Sequence, residues 1–306
     1  MSFQPISISP TQGKLWLAAI KPPMYIVAII PICVGTAIAF RETQALHQGI
    51  FGLFLFSSIC ILAWTNISND FFDSQTGIDQ NKAHSLVNLT GQPELVFWIG
   101  NLCLLIGVLG VAWISWLQQS WVVCGLVLLG CGLGYLYQGP PFRWGYQGWG
   151  ELLCFLAFGP LGVEAAYYSQ TSRWSWVALA AGIVVGLSTS LILFCSHFHQ
   201  VEDDRAAGKR SPVVRLGTEG SARLLPWICG FIYAITLSFV MGRVFPLLTL
   251  TSLLSLPFAI QLNRLLLRHH HQPEQISHSK FIAVSLHFVV GLGLGLGFMV
   301  MSKSSL

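Results

Sequence analysis

Charged residues are scarce in this sequence: Lys, Arg, Asp and Glu make up 9% of its 306 residues, whereas hydrophobic residues make up 54%. A soluble globular protein carries about 25% charged residues, so this chain has too few to cover a surface that faces water. The N-terminal stretch is polar and lacks a short apolar run that ends in a small-residue cleavage site, so we expect no cleaved signal. The lack of charge predicts a protein whose solvent is lipid.

The sequence also lacks the cysteine and histidine spacings of a metal site. Its eight cysteines all lie inside apolar runs, and none forms a C-x-x-C motif. A buried free cysteine behaves as a small hydrophobic side chain. His197 and His199 are two residues apart, and on a regular helix their side chains point about 200° apart. We therefore predict neither a disulfide framework nor a zinc site.

Long apolar runs recur throughout the chain. A hydrocarbon core of about 30 Å is crossed by about 20 apolar residues in a helix. The runs are continuous rather than alternating, and backbone polar groups in lipid must be satisfied within each segment, so we predict helices and not barrel strands. The expected class is an all-α integral membrane protein with about nine transmembrane helices. The predicted spans are 21–40, 47–67, 95–117, 121–138, 149–168, 174–195, 223–242, 244–266 and 281–301.

The basic residues are distributed unequally between the two ends of these spans. Twelve of the 16 Lys and Arg residues fall on the predicted N-terminal side, and four fall on the other side. The positive-inside rule then places the N-terminus and the even-numbered loops in the cytoplasm. The net charge of +4 is explained by this topology, and we predict no nucleic-acid partner.

Acidic residues concentrate in two short segments that follow the second and sixth predicted spans. Six of the twelve lie there: Asp70, Asp73 and Asp79, and Glu202, Asp203 and Asp204. On a helix, Asn66, Asp70 and Asp73 share one face, because their spacing is i, i+4 and i+7.

The second acidic segment repeats the pattern of the first. His197, Gln200 and Asp204 would share one face of a continuing helix. Gly77 and Gly208 each follow an Asp by four residues, and each can end its helix in a left-handed cap. We therefore expect one transmembrane domain, residues 1–306, with an internal duplication that relates helices 1–4 to helices 5–8.

Two clusters of oxygen ligands on one membrane face are typical of Mg²⁺, which is usually held by one or two carboxylates together with substrate phosphates. Lys and Arg residues next to these clusters can form charge-assisted hydrogen bonds to phosphate oxygens. A third loop on the same side contains Tyr137, Phe142, Arg143 and Tyr146. Together these loops predict a diphosphate–metal site above an apolar interior that accepts a long apolar tail.

These motifs resemble those of the UbiA superfamily of intramembrane aromatic prenyltransferases, whose pattern is N-x-x-x-D-x-x-D after helix two and D-x-x-x-D after helix six. The resemblance covers essentially the whole chain and implies nine helices around a central cavity. The segments 69–73, 139–143 and 207–217 look like the 1,4-dihydroxy-2-naphthoate prenyltransferases of menaquinone synthesis, and residues 196–204 look like the cyanobacterial and plant phytyltransferases of phylloquinone (vitamin K1) synthesis. The chain departs from the family at Gln200, where the first Asp of the second motif stands, and at Lys21, where the first helix usually has Arg.

The resemblance implies a reaction and a role for each site residue. A phytyl or other prenyl group would pass from its allylic diphosphate to 1,4-dihydroxy-2-naphthoate, with release of CO₂ and diphosphate. The implied catalytic residues are Asp70, Asp73 and Asp204. The implied Mg²⁺ ligands are these three with Gln200 and Asp203. The implied diphosphate-binding residues are Lys21, Lys82, Arg143, Lys209 and Arg210. The implied pocket for the substrate and its cation comprises Asn66, Tyr137, Phe142, Tyr146, His197 and Gln200.

Three alternatives remain open at this stage. A related transferase would use another aromatic acceptor or a longer prenyl chain. A CDP-alcohol phosphotransferase would need a D-G-x-x-A-R motif, which the sequence lacks. An ion-coupled transporter would place its acidic residues near the bilayer midplane and not at the span ends. The expected location is the plasma or thylakoid membrane of a cyanobacterium-like organism, with the acidic loops in the cytoplasm.

Overall fold

The fold is a bundle of nine apolar helical segments, seen in a computed structural model that describes residues 10–78, 82 and 84–300. No strand occurs within these described ranges. Eight segments are long enough to cross a membrane, and the shorter apolar helix Val122–Gln138 is the ninth. The predicted class is therefore confirmed. The α-helices are α1 Pro10–Ile20, α2 Ile26–Thr43, α3 Gln48–Thr76, α4 Leu86–Thr90, α5 Pro93–Leu117, α6 Val122–Gln138, α7 Gly150–Leu156, α8 Gly162–Thr171, α9 Trp176–Ser196, α10 Val201–Ala206, α11 Pro212–Met241, α12 Leu256–His269, α13 Pro273–Ile276 and α14 Ser279–Met299.

The helices differ in how much protein surrounds them. In the most apolar 18-residue stretch of each span, 67% of the residues are buried within the protein for the spans that contain α9 and α14. The corresponding share is 22% for α3, α5 and α11. Helices α2, α9 and α14 pack against one another at the centre, and α3 and α5 pack together at the side. The apolar side chains exposed on the outer helices would face lipid tails, which need no polar partner.

The first predicted span is interrupted near its start, because the helix breaks at Lys21. Residues 10–20 already form α1, and Lys21 then adopts a left-handed backbone with φ of 54°. Pro22 and Pro23 follow in a 3₁₀ turn, Pro22–Tyr25, before α2 begins. Proline lacks the N–H that a continuing helix needs, which explains the break. The break brings Lys21 to the acidic end of α3.

Asp70 and Asp73 of the first acidic segment lie within the regular helix α3. It extends nine residues past the predicted end at 67, to Thr76, and stops at Gly77 with φ of 79°. A left-handed cap of this kind is adopted most easily by glycine, which has no Cβ. Asn66, Asp70 and Asp73 therefore do lie on one helix, as their spacing predicts.

The second acidic segment is not one continuous helix, contrary to the prediction. Helix α9 ends at Ser196, a turn follows, and the short helix α10 begins at Val201. In a continuous helix, residues seven apart are separated by about 10 Å along the axis, at about 1.5 Å per residue. The turn removes this separation and brings His197 next to Asp204.

The fifth span contains a widened turn that faces the interior. Between α7 and α8, residues Ala157–Leu161 form a π-helical turn around Pro160. Such bulges occur where an i→i−4 bond cannot form, and they are frequent at functional sites. On the other side of this segment, the Cα of Gly159 is so near α9 that an added Cβ would lie 2.4 Å from the carbonyl oxygen of Gly182. Small residues permit this close approach.

The eighth span begins as a 3₁₀ helix, Leu247–Ser255, and continues as α12. Its backbone lies against α14, where a Cβ on Gly293 would lie 2.4 Å from the backbone N of Ser252. The hydroxyl of Thr251 donates a hydrogen bond to the carbonyl oxygen of Gly293 at 2.9 Å. This tight backbone contact fixes the 3₁₀ segment against α14.

Candidate active site

Asp70 lies at the acidic end of α3, fully buried between two lysines. The ammonium groups of Lys21 and Lys82 lie 3.0 Å and 3.1 Å from its Oδ1. Its Oδ2 accepts a hydrogen bond from the backbone N–H of Leu86 at 3.0 Å. A buried carboxylate is costly unless it is paired and hydrogen-bonded, and here both oxygens are satisfied. Lys21 and Lys82, predicted to bind diphosphate, thus meet at one carboxylate.

Asp73, one turn further along α3, is linked to the aromatic loop through Tyr146. The Tyr146 hydroxyl donates to Oδ1 of Asp73 at 2.8 Å and lies 2.8 Å from the hydroxyl of Thr76. Burial and the negative charge of Asp73 raise the pKa of Tyr146, which keeps the hydroxyl a donor. Lys209 and Arg143 lie over the Tyr146 ring, with their charged groups 5.8 Å and 6.0 Å from its centroid. Tyr146 therefore contacts residues of both acidic segments.

Asp204, on α10, is the buried carboxylate of the second segment. Its Oδ2 lies 2.9 Å from Nδ1 of His197, and its Oδ1 lies 3.3 Å from the ammonium of Lys209. Burial alone would raise the pKa of Asp204. The hydrogen bond from His197 and the positive charge of Lys209 outweigh this effect and hold the pKa below its ordinary value. Asp204 is therefore ionised near neutral pH.

Glu151, at the start of α7, is a second carboxylate beside His197 to which the sequence argument assigned no role. Its Oε1 lies 3.5 Å from Nε2 of His197, so the imidazole stands between Glu151 and Asp204. Both carboxylate oxygens of Glu151 are buried without a hydrogen bond. Its position within the predicted span 149–168 was the signal that the sequence offered, because an ionisable residue inside a span is a functional candidate by default.

Two cavities inside the bundle share part of their lining, including Leu62, Thr65 and Gly134. The larger has a volume of about 210 Å³. The second, of about 110 Å³, is lined almost entirely by apolar side chains of α2, α3, α6 and α8. Both cavities touch the π-helical turn at Ala157 and Phe158. The polar residues that line the larger cavity are Thr65, Asn66, Asn69, Tyr137, Gln138, Thr189, Ser196 and Lys280.

Tyr137 joins the two acidic segments to the larger cavity. It lines that cavity and lies within electrostatic range of Asp73, Glu151 and Asp204. Asn66 also lines the cavity, and its Nδ2 is buried without a hydrogen bond. Of the predicted site residues, Asn66 and Tyr137 line this cavity, whereas the acidic and basic ones form ion pairs and hydrogen bonds outside its lining.

Four predicted residues lie at the edge of this group. Phe142 is 43% exposed, with its ring against Trp144. Arg210 is exposed, and its backbone N–H bonds to the carbonyl oxygen of Tyr146. Gln200 and Asp203 are half-buried, and neither is among the residues that line the two cavities. Asp79 lies outside the described residues.

Lys280, at the start of α14, lines the larger cavity but was not singled out from the sequence. Burial and, after it, the positive charge of Lys280 lower the pKa of His199 to about 4. Burial and the charges of Lys82 and Lys280 also lower the pKa of His84. Both imidazoles are therefore neutral near neutral pH. No acidic motif surrounds Lys280 in the sequence, so nothing in the local pattern indicated its position.

The carboxylates of the site suit Mg²⁺ better than a metal ion whose ligands are all protein side chains. Within the described ranges, no three or more His, Cys, Asp or Glu side chains converge on one metal position. Mg²⁺ needs fewer protein ligands, because it keeps waters and binds substrate phosphates. Oδ1 of Asp70 is paired with two ammonium groups, and Oδ1 of Asp204 is paired with one, that of Lys209. Carboxylate oxygens are ligands that Mg²⁺ prefers, and at either oxygen the cation would take the place of an ammonium group.

The fold and this site define a helical protein of membrane-spanning length in which buried carboxylates pair with lysines and the bundle encloses largely apolar cavities. The sequence matches the UbiA prenyltransferase family over residues 28–299. It is 54% identical over 292 residues to the 2-carboxy-1,4-naphthoquinone phytyltransferase of Synechocystis, covering 95% of each chain. It is 41% identical to the chloroplastic enzyme of the same name from Arabidopsis thaliana, covering 94% of this chain and 78% of that one. The chain belongs to the UbiA prenyltransferase family, as the motifs predict.

Solved structures give the same fold. A UbiA homolog from Archaeoglobus fulgidus aligns with a TM-score of 0.62 at 15% identity, over 93% of this chain and 99% of that one. The same homolog bound to DMAPP and Mg²⁺ aligns with a TM-score of 0.59, also at 15% identity, over 90% and 98% of the two chains. At this identity the likeness establishes the fold, and it confirms an integral, multi-pass membrane protein of the UbiA type.

Proposed function

We propose that this protein transfers a phytyl group from phytyl diphosphate to 1,4-dihydroxy-2-naphthoate, with release of CO₂ and diphosphate, in the synthesis of phylloquinone. The observation that carries the proposal is that Asp70 and Asp204 are buried beside lysines, and that Tyr146, which donates a hydrogen bond to Asp73, lies under Lys209. The high identity to two proteins named as phytyltransferases supports the choice of phytyl over a longer chain.

The basic residues beside these carboxylates would bind the diphosphate. Lys21 and Lys82 at Asp70, and Lys209 at Asp204, can each turn an ammonium N–H toward a phosphate oxygen, a charge-assisted hydrogen bond. Arg143 lies near Tyr146 and would add a further donor, and Arg210 would contribute from the exposed rim.

Mg²⁺ is the metal that we propose for this site, held by Asp70, Asp73 and Asp204 with Gln200 or Asp203. When bound, it would neutralise the negative charge that develops on the departing diphosphate. The residues of the chain then bind and orient the two substrates and exclude water from the cavity.

The reaction needs an electron-rich acceptor and a dry cavity. Cleavage of the C–O bond of the allylic diphosphate leaves an allylic cation, which aromatic faces such as Tyr137 and Tyr146 stabilise by about 0.5–2 kcal/mol each. The ring carbon that bears the carboxylate donates an electron pair to form the new C–C bond. The electron pair of the carbon–carboxylate bond returns to the ring as CO₂ leaves. The quinone form of the acceptor is poorer by two electrons and would need a reductant, so we propose the dihydroxy form.

We also propose a location and an internal architecture. The basic residues favour a cytoplasmic position for both acidic loops, in a thylakoid or plasma membrane. A cysteine introduced at the exposed Gln75 should react with a membrane-impermeant thiol reagent added from the cytoplasmic side. Left-handed glycines that follow both acidic segments, Gly77 and Gly208, support one domain with two related halves.

Product mass tests the function. Purified protein is mixed with 1,4-dihydroxy-2-naphthoate, Mg²⁺ and phytyl, geranylgeranyl or longer diphosphates, with and without excess EDTA. We expect the decarboxylated phytylated product, and no product in EDTA. Turnover in EDTA would contradict the metal, and a product from another diphosphate would change the donor. Transport of an ion without any product, measured in proteoliposomes, would replace the enzyme with a transporter.

A further inference from the structure

Lys280 occupies a distinct position among the cations of the site. It lies in the first turn of α14 and lines the larger cavity together with Asn66, Asn69, Tyr137 and Ser196. Among the described residues that line the two cavities, it is the one with a positive charge. The other lysines of the site lie around the carboxylates and not in the cavity lining.

Lys280 differs from Lys21 and Lys82 in its charged neighbours. Lys21 and Lys82 are paired with Asp70, but no ion pair to Lys280 occurs within the described ranges. The positive charges of Lys21 and Lys82 lie close enough to repel it. Its ammonium lies 5.2 Å from the Phe281 ring, which offers attraction but no negative charge. An unbalanced ammonium beside an apolar cavity favours a ligand that brings its own anionic group.

We propose that Lys280 binds the carboxylate of the aromatic acceptor and so orients its ring in the larger cavity. This inference rests on the function proposed above. The acceptor is a flat ring system with two hydroxyls and one carboxylate, which matches a largely apolar cavity lined by one cation and by the amides of Asn66, Asn69 and Gln138. A diphosphate carries several charges and is matched instead by the lysines gathered at Asp70 and Asp204.

Ligand binding without turnover tests this assignment. The dissociation constants of 1-hydroxy-2-naphthoate and of 1-naphthol, which lacks only the carboxylate, are measured by calorimetry on the detergent-purified full chain without metal or prenyl diphosphate. In Lys280→Gln, we expect binding of 1-hydroxy-2-naphthoate to weaken about 10- to 100-fold, because a hydrogen bond to a charged group is lost. Binding of 1-naphthol should change less than about twofold. Lys280→Arg should recover most of the affinity, because it keeps the charge.

The matched control is Lys14→Gln on α1, which removes the same charge from an exposed residue. It should leave both dissociation constants unchanged. Where Lys280→Gln does not fold, Lys280→Met keeps the length of the side chain without its charge and repeats the comparison. Equal weakening for both naphthalene ligands would overturn the proposal. The dissociation constant of geranyl diphosphate is measured in a separate titration, and a rise in that constant alone in Lys280→Gln would also overturn the proposal.

The two proposals fail in different ways. If the wild-type protein forms no phytylated product, the proposed function is wrong whatever the Lys280 variants bind. If it forms the product and the Lys280 variants bind 1-hydroxy-2-naphthoate as tightly as the wild type, the function stands and only the role of Lys280 is wrong.

Discussion

The hydroxyl of Tyr146 donates a hydrogen bond to Oδ1 of Asp73 at 2.8 Å. This bond joins the loop between α6 and α7 to the acidic end of α3. Lys209, which pairs with Asp204, lies over the same ring. Tyr146 therefore contacts residues of both acidic segments and helps to fix their relative positions. The aromatic loop therefore positions the site.

Tyr146→Phe removes this hydroxyl and keeps the ring. We expect turnover to fall about tenfold, since a hydrogen bond to a charged group contributes about 1.5–3 kcal/mol and part of it is replaced by water. The measurement is the initial rate of product formation. Tyr135→Phe is the matched control, because that hydroxyl donates to the carbonyl oxygen of Pro140 at the surface. Equal losses in the two variants would show that the loop matters only for folding.

Asp70→Asn leaves the ammonium groups of Lys21 and Lys82 without their buried counter-charge. We expect turnover to fall about 10²–10³-fold, by analogy with the loss of one electrostatic contact in an active site. The thermal midpoint should also fall, because removing one partner of a buried pair costs about 3–5 kcal/mol. Glu219→Gln, which breaks an exposed pair with Arg223, is the control and should change neither value. Turnover within threefold of the wild type would remove Asp70 from the mechanism.

Gln200 stands where the family motif has a carboxylate. Its side chain makes no capping hydrogen bond to α10, so its replacement should leave that helix intact. Gln200→Ala should lower turnover less than Asp70→Ala, since a neutral amide interacts with a cation more weakly than a carboxylate does. Gln200→Asp should be tolerated and should lower the Mg²⁺ concentration needed for half-maximal rate. A selective rise in the acceptor KM in Gln200→Ala, with unchanged Mg²⁺ dependence, would place Gln200 at the acceptor instead.

Asp204 couples stability to pH. Because His197 and Lys209 hold its pKa below the ordinary value, the ionised carboxylate stabilises the fold above about pH 4, the ordinary pKa of an unfolded Asp. This contribution is lost as pH falls through the lower, folded pKa. Thermal midpoints of the wild type and Asp204→Asn should therefore differ most near neutral pH and converge in strong acid. Asp203→Asn, with no ion pair among the described residues, is the control. A difference that grows on acidification would contradict this assignment.

Much of the fold could be predicted from the sequence, because lipid leaves few choices. Each apolar run had to become a helix, and the spacing of Asn66, Asp70 and Asp73 correctly placed them on one helix, α3. For His197 and Asp204, the spacing wrongly predicted one continuous helix. Helix α9 ends at Ser196, and His197 in the turn that follows contacts Glu151 of a different helix, which no local sequence pattern contains.

The sequence alone determined which residue types the candidate site contains and that they lie near the ends of apolar spans, because so few charged residues occur in this chain. Only the tertiary structure decided which of them meet. Lys21 reaches Asp70 across 49 residues of sequence, Tyr146 reaches Asp73 across 73, and Lys280 reaches the cavity from α14. The physical reason is that helical periodicity carries information over a few turns within one helix. Contacts between helices are set by packing, through the break at Lys21, the π-helical turn at Pro160 and the close approach of Gly159 to α9.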